Sequence, residues 1–177
     1  MSARITLILG GARSGKSRRA EALARLSGRP VVYVATYASG HADGEMSERI
    51  DVHRARRPTD WQTVENRFDL ATLFGELPGR TVVLDCLTLW LSYHCDTVSE
   101  PDLLERLREA LEAARQSGLE LYIVSNELGM GLVPSSPAGR AFRDLSGRAN
   151  QLVAALAEDV EFQVAGLPLH LKGERRP

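Results

Sequence analysis

The feature of this 177-residue sequence that most constrains its fold is a short apolar run leading directly into a glycine-rich turn. The run is ITLILG, residues 5–10, and the turn continues as GARSGKS. Gly10, Gly15, Lys16 and Ser17 satisfy the pattern G-x-x-x-x-G-K-[ST], and a helical pattern follows. In this setting the backbone N–H groups of such a turn wrap around phosphate. The sequence therefore predicts a P-loop, in which Lys16 reaches the outer phosphates and Ser17 ligates Mg²⁺.

Further apolar runs alternate with helical patterns along the chain. The runs lie at 31–35, 81–86 and 119–126, and the helical patterns at 16–27, 45–57, 101–116 and 138–158. Apolar runs separated by helices predict an α/β fold of the P-loop NTPase type, a three-layer sandwich with a mostly parallel sheet. Two short strands around Gly166 and Pro168 predict a C-terminal antiparallel hairpin. We expect one domain over residues 1–177, because this length suffices for one core.

Composition excludes several other classes of protein. The chain is 44% hydrophobic and 25% charged with a net charge of -1, which is typical of a globular protein rather than a nucleic-acid binder. Cys86 and Cys95 lack the spacing of a zinc site and predict reduced packing residues. No apolar run is long enough to cross a bilayer, so we expect a cytoplasmic protein with no stable membrane insertion.

A candidate metal ligand ends the third apolar run. Asp85 closes TVVLD and should lie at the carboxyl edge of the sheet, where α/β folds bind ligands. An aspartate after a strand is often only a helix cap or a loop residue. Because a P-loop lies upstream, we interpret Asp85 as a Walker B aspartate that binds Mg²⁺ together with Ser17.

His53 lies in a cluster of arginines within ERIDVHRARRP, residues 48–58. A helix ending before Pro58 would place Arg56 and Arg57 on the face of His53. Neighbouring guanidinium groups disfavour the imidazolium form, which leaves a neutral, nucleophilic imidazole, and they also bind phosphate oxygens. From these residues alone the segment is either a solvated charged helix or an anion-binding face with a nucleophile.

The motifs occur in an order that resembles a known family. GGARSGKS, YVAT, EMSERIDVHRARRP, LDCLTLWLS, VSNELGMGLVP and FRDLSGRANQLVAALAEDV are similar in order and spacing to bifunctional adenosylcobinamide kinase/adenosylcobinamide-phosphate guanylyltransferase of cobalamin biosynthesis. The match covers nearly the whole chain. Many NTPases share the P-loop, whereas its combination with HRxxRP and NELGMGLVP is specific.

The resemblance implies two successive reactions. ATP or GTP first phosphorylates adenosylcobinamide. GTP then guanylylates His53 with release of pyrophosphate, and GMP passes to adenosylcobinamide phosphate, giving adenosylcobinamide-GDP. A homotrimer is also implied. The implied nucleotide contacts are Gly10, Gly11, Ala12, Arg13, Ser14, Gly15, Lys16, Ser17, Thr36, Tyr37, Ala38, Arg56, Arg57, Glu65 and Asp85.

Some alternatives stay open at this point. A P-loop kinase with one activity would use His53 only to bind phosphate, and a nucleotide-dependent switch would have no acceptor substrate. NELGMGLVPSSPAGRAF, residues 126–142, predicts either a flexible lip for a large, partly apolar ligand or a loop without substrate contact. Arg140, Arg143 and Arg148 on the next helix are either solvated or in subunit contacts.

Overall fold

A computed structural model of the chain describes residues 3–37 and 58–174, and its helices and strands are numbered here within those ranges. His53, Arg56, Arg57, Ala38 and the predicted helix at 45–57 lie outside the described residues. Among the described helices, none combines the length and apolarity needed to cross a bilayer.

Seven strands and five helices are found in the described residues. The strands are β1 (Arg4–Gly10), β2 (Val31–Ala35), β3 (Gln62–Glu65), β4 (Thr81–Asp85), β5 (Glu120–Asn126), β6 (Asp159–Val164) and β7 (Leu167–Lys172). The helices are α1 (Lys16–Leu26), α2 (Leu70–Gly75), α3 (Leu87–His94), α4 (Glu100–Gln116) and α5 (Pro137–Leu156). The apolar runs predicted as strands are confirmed to within a residue or so. The short helix α2 was not assigned from the sequence.

The strands form one sheet in the order β3-β2-β4-β5-β1-β6-β7. All neighbouring pairs are parallel except β6 and β7, which are antiparallel, so the predicted C-terminal hairpin is confirmed. In this order β5 lies between β1, which leads into the phosphate loop, and β4, which ends in the candidate metal ligand. The carboxyl ends of these three strands therefore meet at one edge of the sheet.

Side chains in the strands alternate between two cores on opposite faces of the sheet. In β1, Leu7 packs with the large cluster that includes residues of α2, α3, α4 and α5, whereas Ile8 packs with the smaller cluster that includes α1. Successive side chains of a strand point to opposite faces, which explains this division. The arrangement is the predicted three-layer sandwich, with helices on both sides of a buried sheet.

Short polar side chains fix where three of the helices begin. The side chains of Asp69, Ser99 and Ser136 accept hydrogen bonds from backbone N–H groups in the first turns of α2, α4 and α5. Pro137 occupies the first position of α5, where its missing N–H costs nothing. The helix thus begins one residue before the predicted residue 138.

Candidate active site

The turn between β1 and α1 requires glycine at two positions. A side chain on Gly10 would place its Cβ 2.6 Å from both the carbonyl oxygen of Gln163 and the hydroxyl of Ser14. Gly15 caps α1 with a φ of 100°, a left-handed conformation that side chains disfavour. The backbone can therefore follow the phosphate loop only with the small residues that the motif supplies.

Lys16 starts α1 and is almost completely buried, with 7% of its surface exposed. Its Nζ donates a hydrogen bond to the carbonyl oxygen of Gly11 at 2.5 Å. Burial lowers the pKa of this ammonium group, and the nearby Cys86 and Asp85 oppose that shift. The cation is thus held over its own loop by one carbonyl contact, which a phosphate oxygen can replace.

Asp85 ends β4, two strands away from β1 in the sheet. The hydroxyl of the buried Tyr33 donates a hydrogen bond to its Oδ2. Asp85 lies close enough to Lys16 that its carboxylate opposes the lowering of the pKa of the ammonium group. Burial raises the pKa of the next residue, Cys86, to about 12, so this cysteine is a neutral thiol packed behind the site.

Thr36 and Glu65 lie at different points of the carboxyl edge of the sheet, after β2 and at the end of β3. Thr36 is buried, and its hydroxyl donates to the carbonyl oxygen of Cys86 at 2.6 Å and accepts from the backbone N–H of Cys86 at 2.8 Å. These bonds tie the end of β2 to the end of β4.

Glu65 ends β3, which lies four strand spacings from β1 in the sheet. At about 4.8 Å for each spacing, Glu65 is about 19 Å from β1. Glu65 is therefore remote from phosphates held near Lys16.

A buried polar network fixes the end of β5, and sequence reasoning missed it. The hydroxyl of Ser125 donates to Oδ1 of Asn150 at 2.7 Å, and Nδ2 of Asn150 donates to the carbonyl oxygen of Asn126 at 3.1 Å. The backbone N–H of Asn126 donates to the hydroxyl of Thr88 at 2.9 Å. The network joins β5 to α3 and α5. Its only sequence signal was polar residues within otherwise apolar patterns.

The three arginines on α5 that the sequence left open all have contacts in the structure. Nη1 of Arg140 donates to the carbonyl oxygens of Pro134 and Ser135 at 3.0 and 2.8 Å, so this residue holds the loop before α5. Arg148 pairs with Glu100 of α4. Arg143 and Arg148 both line a groove beside Glu127, the residue that follows β5.

The C-terminal hairpin touches the phosphate loop. The backbone N–H of Gly166, in the turn between β6 and β7, donates to the carbonyl oxygen of Ser14 at 2.9 Å. A Cβ on Gly15 would lie 3.2 Å from the Cα of Gly166. The hairpin turn therefore supports the outer side of the loop that the motif defines.

Comparison with known proteins shows which family this chain belongs to. The family model described as cobinamide kinase/cobinamide phosphate guanyltransferase matches residues 6–171. The chain belongs to this family. The bifunctional adenosylcobalamin biosynthesis protein CobP of Pseudomonas aeruginosa is 50% identical over 173 residues, covering 95% of this chain and 97% of the relative. The bifunctional adenosylcobalamin biosynthesis protein CobU of Escherichia coli is 39% identical over 181 residues, covering 94% of this chain and 98% of the relative.

Solved structures with little sequence identity share the fold of this family member. The RadB recombinase superimposes with a TM-score of 0.55 at 17% identity, covering 99% of this chain and 84% of that one. A KaiC-like protein from Pyrococcus horikoshii gives a TM-score of 0.53 at 14% identity, covering 91% of this chain and 71% of that one. These likenesses show a P-loop NTPase-like fold.

We predict that Gly15→Ala weakens nucleotide binding by about tenfold or more, because the added Cβ strains a left-handed residue and crowds Gly166. Titration with a fluorescent GTP analogue measures the effect. Gly75→Ala is the control, since its Cβ would meet nothing within 4 Å at the end of α2. Equal affinities for the two variants would contradict the role given to Gly15.

Proposed function

We propose that this chain phosphorylates adenosylcobinamide with ATP or GTP and then transfers GMP from GTP to adenosylcobinamide phosphate. The main support is a complete phosphate loop, with Lys16 buried beside Asp85, in a chain that matches its family over residues 6–171. The relatives at 50% and 39% identity are named as bifunctional proteins of adenosylcobalamin biosynthesis. In this proposal one domain carries both reactions.

In the kinase step the loop binds and orients the triphosphate. Backbone N–H groups between Gly10 and Ser17 surround the phosphates, and the positive end of α1 adds to the attraction. Lys16 exchanges the carbonyl of Gly11 for an outer phosphate oxygen. Charge that develops on the transferring phosphoryl group is thereby stabilised by groups already in place.

Ser17 and Asp85 would hold Mg²⁺. A hydroxyl and a carboxylate are the hard oxygen donors that Mg²⁺ prefers, and this ion normally takes only one or two protein ligands beside phosphates and water. The hydroxyl of Tyr33 restrains the carboxylate of Asp85 through a hydrogen bond to Oδ2. When bound, Mg²⁺ supplies positive charge that neutralises the phosphates. The donor chemistry of the two residues fits this role.

The second reaction uses His53 as the nucleophile. An imidazole nitrogen attacks the α-phosphorus of GTP, a nitrogen–phosphorus bond forms, and pyrophosphate leaves with the electrons of the broken phosphorus–oxygen bond. A phosphate oxygen of adenosylcobinamide phosphate then attacks the same phosphorus and releases the imidazole. In this proposal Arg56 and Arg57 bind phosphate oxygens, and Thr36, Tyr37, Ala38 and Glu65 contact the rest of the nucleotide.

We predict that GTP labelled in the α-phosphate transfers its label to wild-type protein in the presence of Mg²⁺, and that His53→Ala abolishes this transfer because the attacking nitrogen is gone. A phosphoramidate bond is labile in acid and stable in base, which separates it from a phosphoester. His41→Ala is the matched control and should retain the label. GTP labelled in the γ-phosphate should instead label the corrinoid.

These labels also distinguish other functions. Transfer of γ-label to adenosylcobinamide without α-label on the protein would indicate a kinase with one activity. Slow hydrolysis with no transfer to any corrinoid would indicate a nucleotide-dependent switch. Either result would contradict the proposed pair of reactions.

We also propose that the enzyme is a homotrimer in the cytoplasm, where its two cysteines stay reduced. Leu167, Leu169 and Leu171 are 71, 56 and 57% exposed along β7, and Val164 on β6 is 54% exposed beside them. An apolar row on a sheet edge favours burial against another chain. Light scattering should give three times the chain mass of 19.4 kDa, whereas a mass of one chain would contradict this proposal.

A further inference from the structure

Three described carboxylates end strands at the edge that holds the phosphate loop, or follow them directly. They are Glu65 at the end of β3, Asp85 at the end of β4 and Glu127 directly after β5. Only β5 among these strands is hydrogen-bonded to β1, the strand that enters the loop. Glu127 is therefore, within the described residues, the strand-end carboxylate nearest in the sheet to the phosphate loop.

The backbone of Glu127 is held at the start of that loop. Asn126 pairs with Gly10 in the register of β5 and β1, and the N–H of Glu127 donates to the carbonyl oxygen of Gly10 at 3.0 Å. Two partly buried hydrogen bonds, from the N–H of Asn126 to Thr88 and from Asn150 to the carbonyl oxygen of Asn126, fix the residue before it. The position of Glu127 relative to bound phosphates is thus set by sheet pairing and by the polar network.

The side chain of Glu127 is held much less firmly. Its Oε1 accepts one hydrogen bond, at 2.5 Å, from the backbone N–H of Gly129 in the following exposed loop. The carboxylate lines a groove of about 380 Å³, which is also lined by Gly129 and by five residues of α5, namely Arg143, Asp144, Gly147, Arg148 and Gln151. This contact, the one hydrogen bond of the carboxylate within residues 3–37 and 58–174, can be exchanged for a contact with a ligand in the groove.

The surroundings of the groove suit an acceptor that is partly polar and partly apolar. Arg143, whose side chain is 22% exposed, lies 3.7 Å through Nε from Oδ1 of the exposed Asp144 and can still bind an anionic or carbonyl oxygen through its other N–H groups. Met130, Leu132 and Val133 of the following loop are 80, 97 and 66% exposed. Exposed apolar side chains beside a polar groove are typical of a ligand site.

We propose that Glu127 is the general base of the kinase step and that the groove beside it receives the acceptor, an inference that rests on the function proposed above. The acceptor hydroxyl oxygen forms a bond to the γ-phosphorus, and the bond from that phosphorus to the β–γ bridging oxygen breaks. The nucleoside diphosphate leaves with that electron pair. The hydroxyl proton passes to a carboxylate oxygen of Glu127 and from there to water.

The other two carboxylates are less suited to this role. Asp85 accepts a hydrogen bond from Tyr33 and is assigned to Mg²⁺ in the proposal above. Glu65 lies about 19 Å from β1 across the sheet, beyond the reach of a group that attacks the γ-phosphate. Glu127 combines a position beside the loop with a side chain that faces the groove.

The two reactions of the enzyme differ in their need for a base, and this difference gives a sharp test. The kinase acceptor is a hydroxyl, which must lose a proton as it attacks. The acceptor of GMP is a phosphate monoester, which is already ionised near neutral pH. Loss of the base should therefore slow the first reaction and spare the second, which then also reports that the variant is folded.

The experiment compares wild type, Glu127→Gln and Glu109→Gln, the last being an exposed carboxylate on α4. Phosphorylation of adenosylcobinamide from γ-labelled ATP and transfer of GMP from α-labelled GTP to adenosylcobinamide phosphate are measured separately. We expect kcat of phosphorylation to fall by about 100-fold or more in Glu127→Gln. GMP transfer and GTP affinity should stay within about threefold of wild type. Glu109→Gln should match wild type in all three measurements.

The outcomes distinguish a failure of the base assignment from a failure of the proposed function. Phosphorylation by Glu127→Gln within about threefold of wild type would overturn the base assignment, and so would an equal loss in both reactions, which indicates a structural role. Partial recovery of kcat in Glu127→Asp would support a carboxylate acting on the proton. Failure of wild-type protein to phosphorylate adenosylcobinamide would instead overturn the function on which the inference rests.

Discussion

Binding of phosphate by the backbone between β1 and α1 is the interaction on which the rest of this site depends. Gly10 and Gly15 let the chain take a path that side chains would block, and the N-terminus of α1 faces the same point. Once phosphate is placed there, distance across the sheet decides what each neighbouring strand can contribute. Glu127 is one strand away and Asp85 two, whereas Glu65 is four strands away.

The local parts of this site could be predicted from the sequence, and the long-range parts could not. The phosphate loop is made of consecutive residues, so its motif and the strand and helix around it can be recognised directly. The insertion of β5 between β1 and β4 depends on pairing between distant segments, which periodicity does not report. Glu127 was therefore predicted only as part of a loop, and the buried bonds of Asn150 were not predicted at all.

The C-terminal hairpin connects the phosphate loop with an exposed apolar row. Its turn donates a hydrogen bond from Gly166 to Ser14 in the phosphate loop, while its outer strand carries the exposed row at Leu167, Leu169 and Leu171. The antiparallel hairpin was predicted and is confirmed, and its second strand, β7, lies at one edge of the sheet. Its contact with the loop means that the shape of the nucleotide site depends partly on residues some 150 positions further along the chain.

The central claim is that one nucleotide site supports both reactions, and Lys16→Met tests it most directly. This variant keeps the length of the side chain and removes the charge that reaches the phosphates. We expect both phosphorylation of adenosylcobinamide and α-label transfer from GTP to the protein to fall by about 100-fold or more, as for loss of a group that stabilises phosphoryl charge. Lys172→Met, at an exposed lysine on β7, should retain both. Survival of either reaction near the wild-type rate in Lys16→Met would show that the two reactions use separate nucleotide sites.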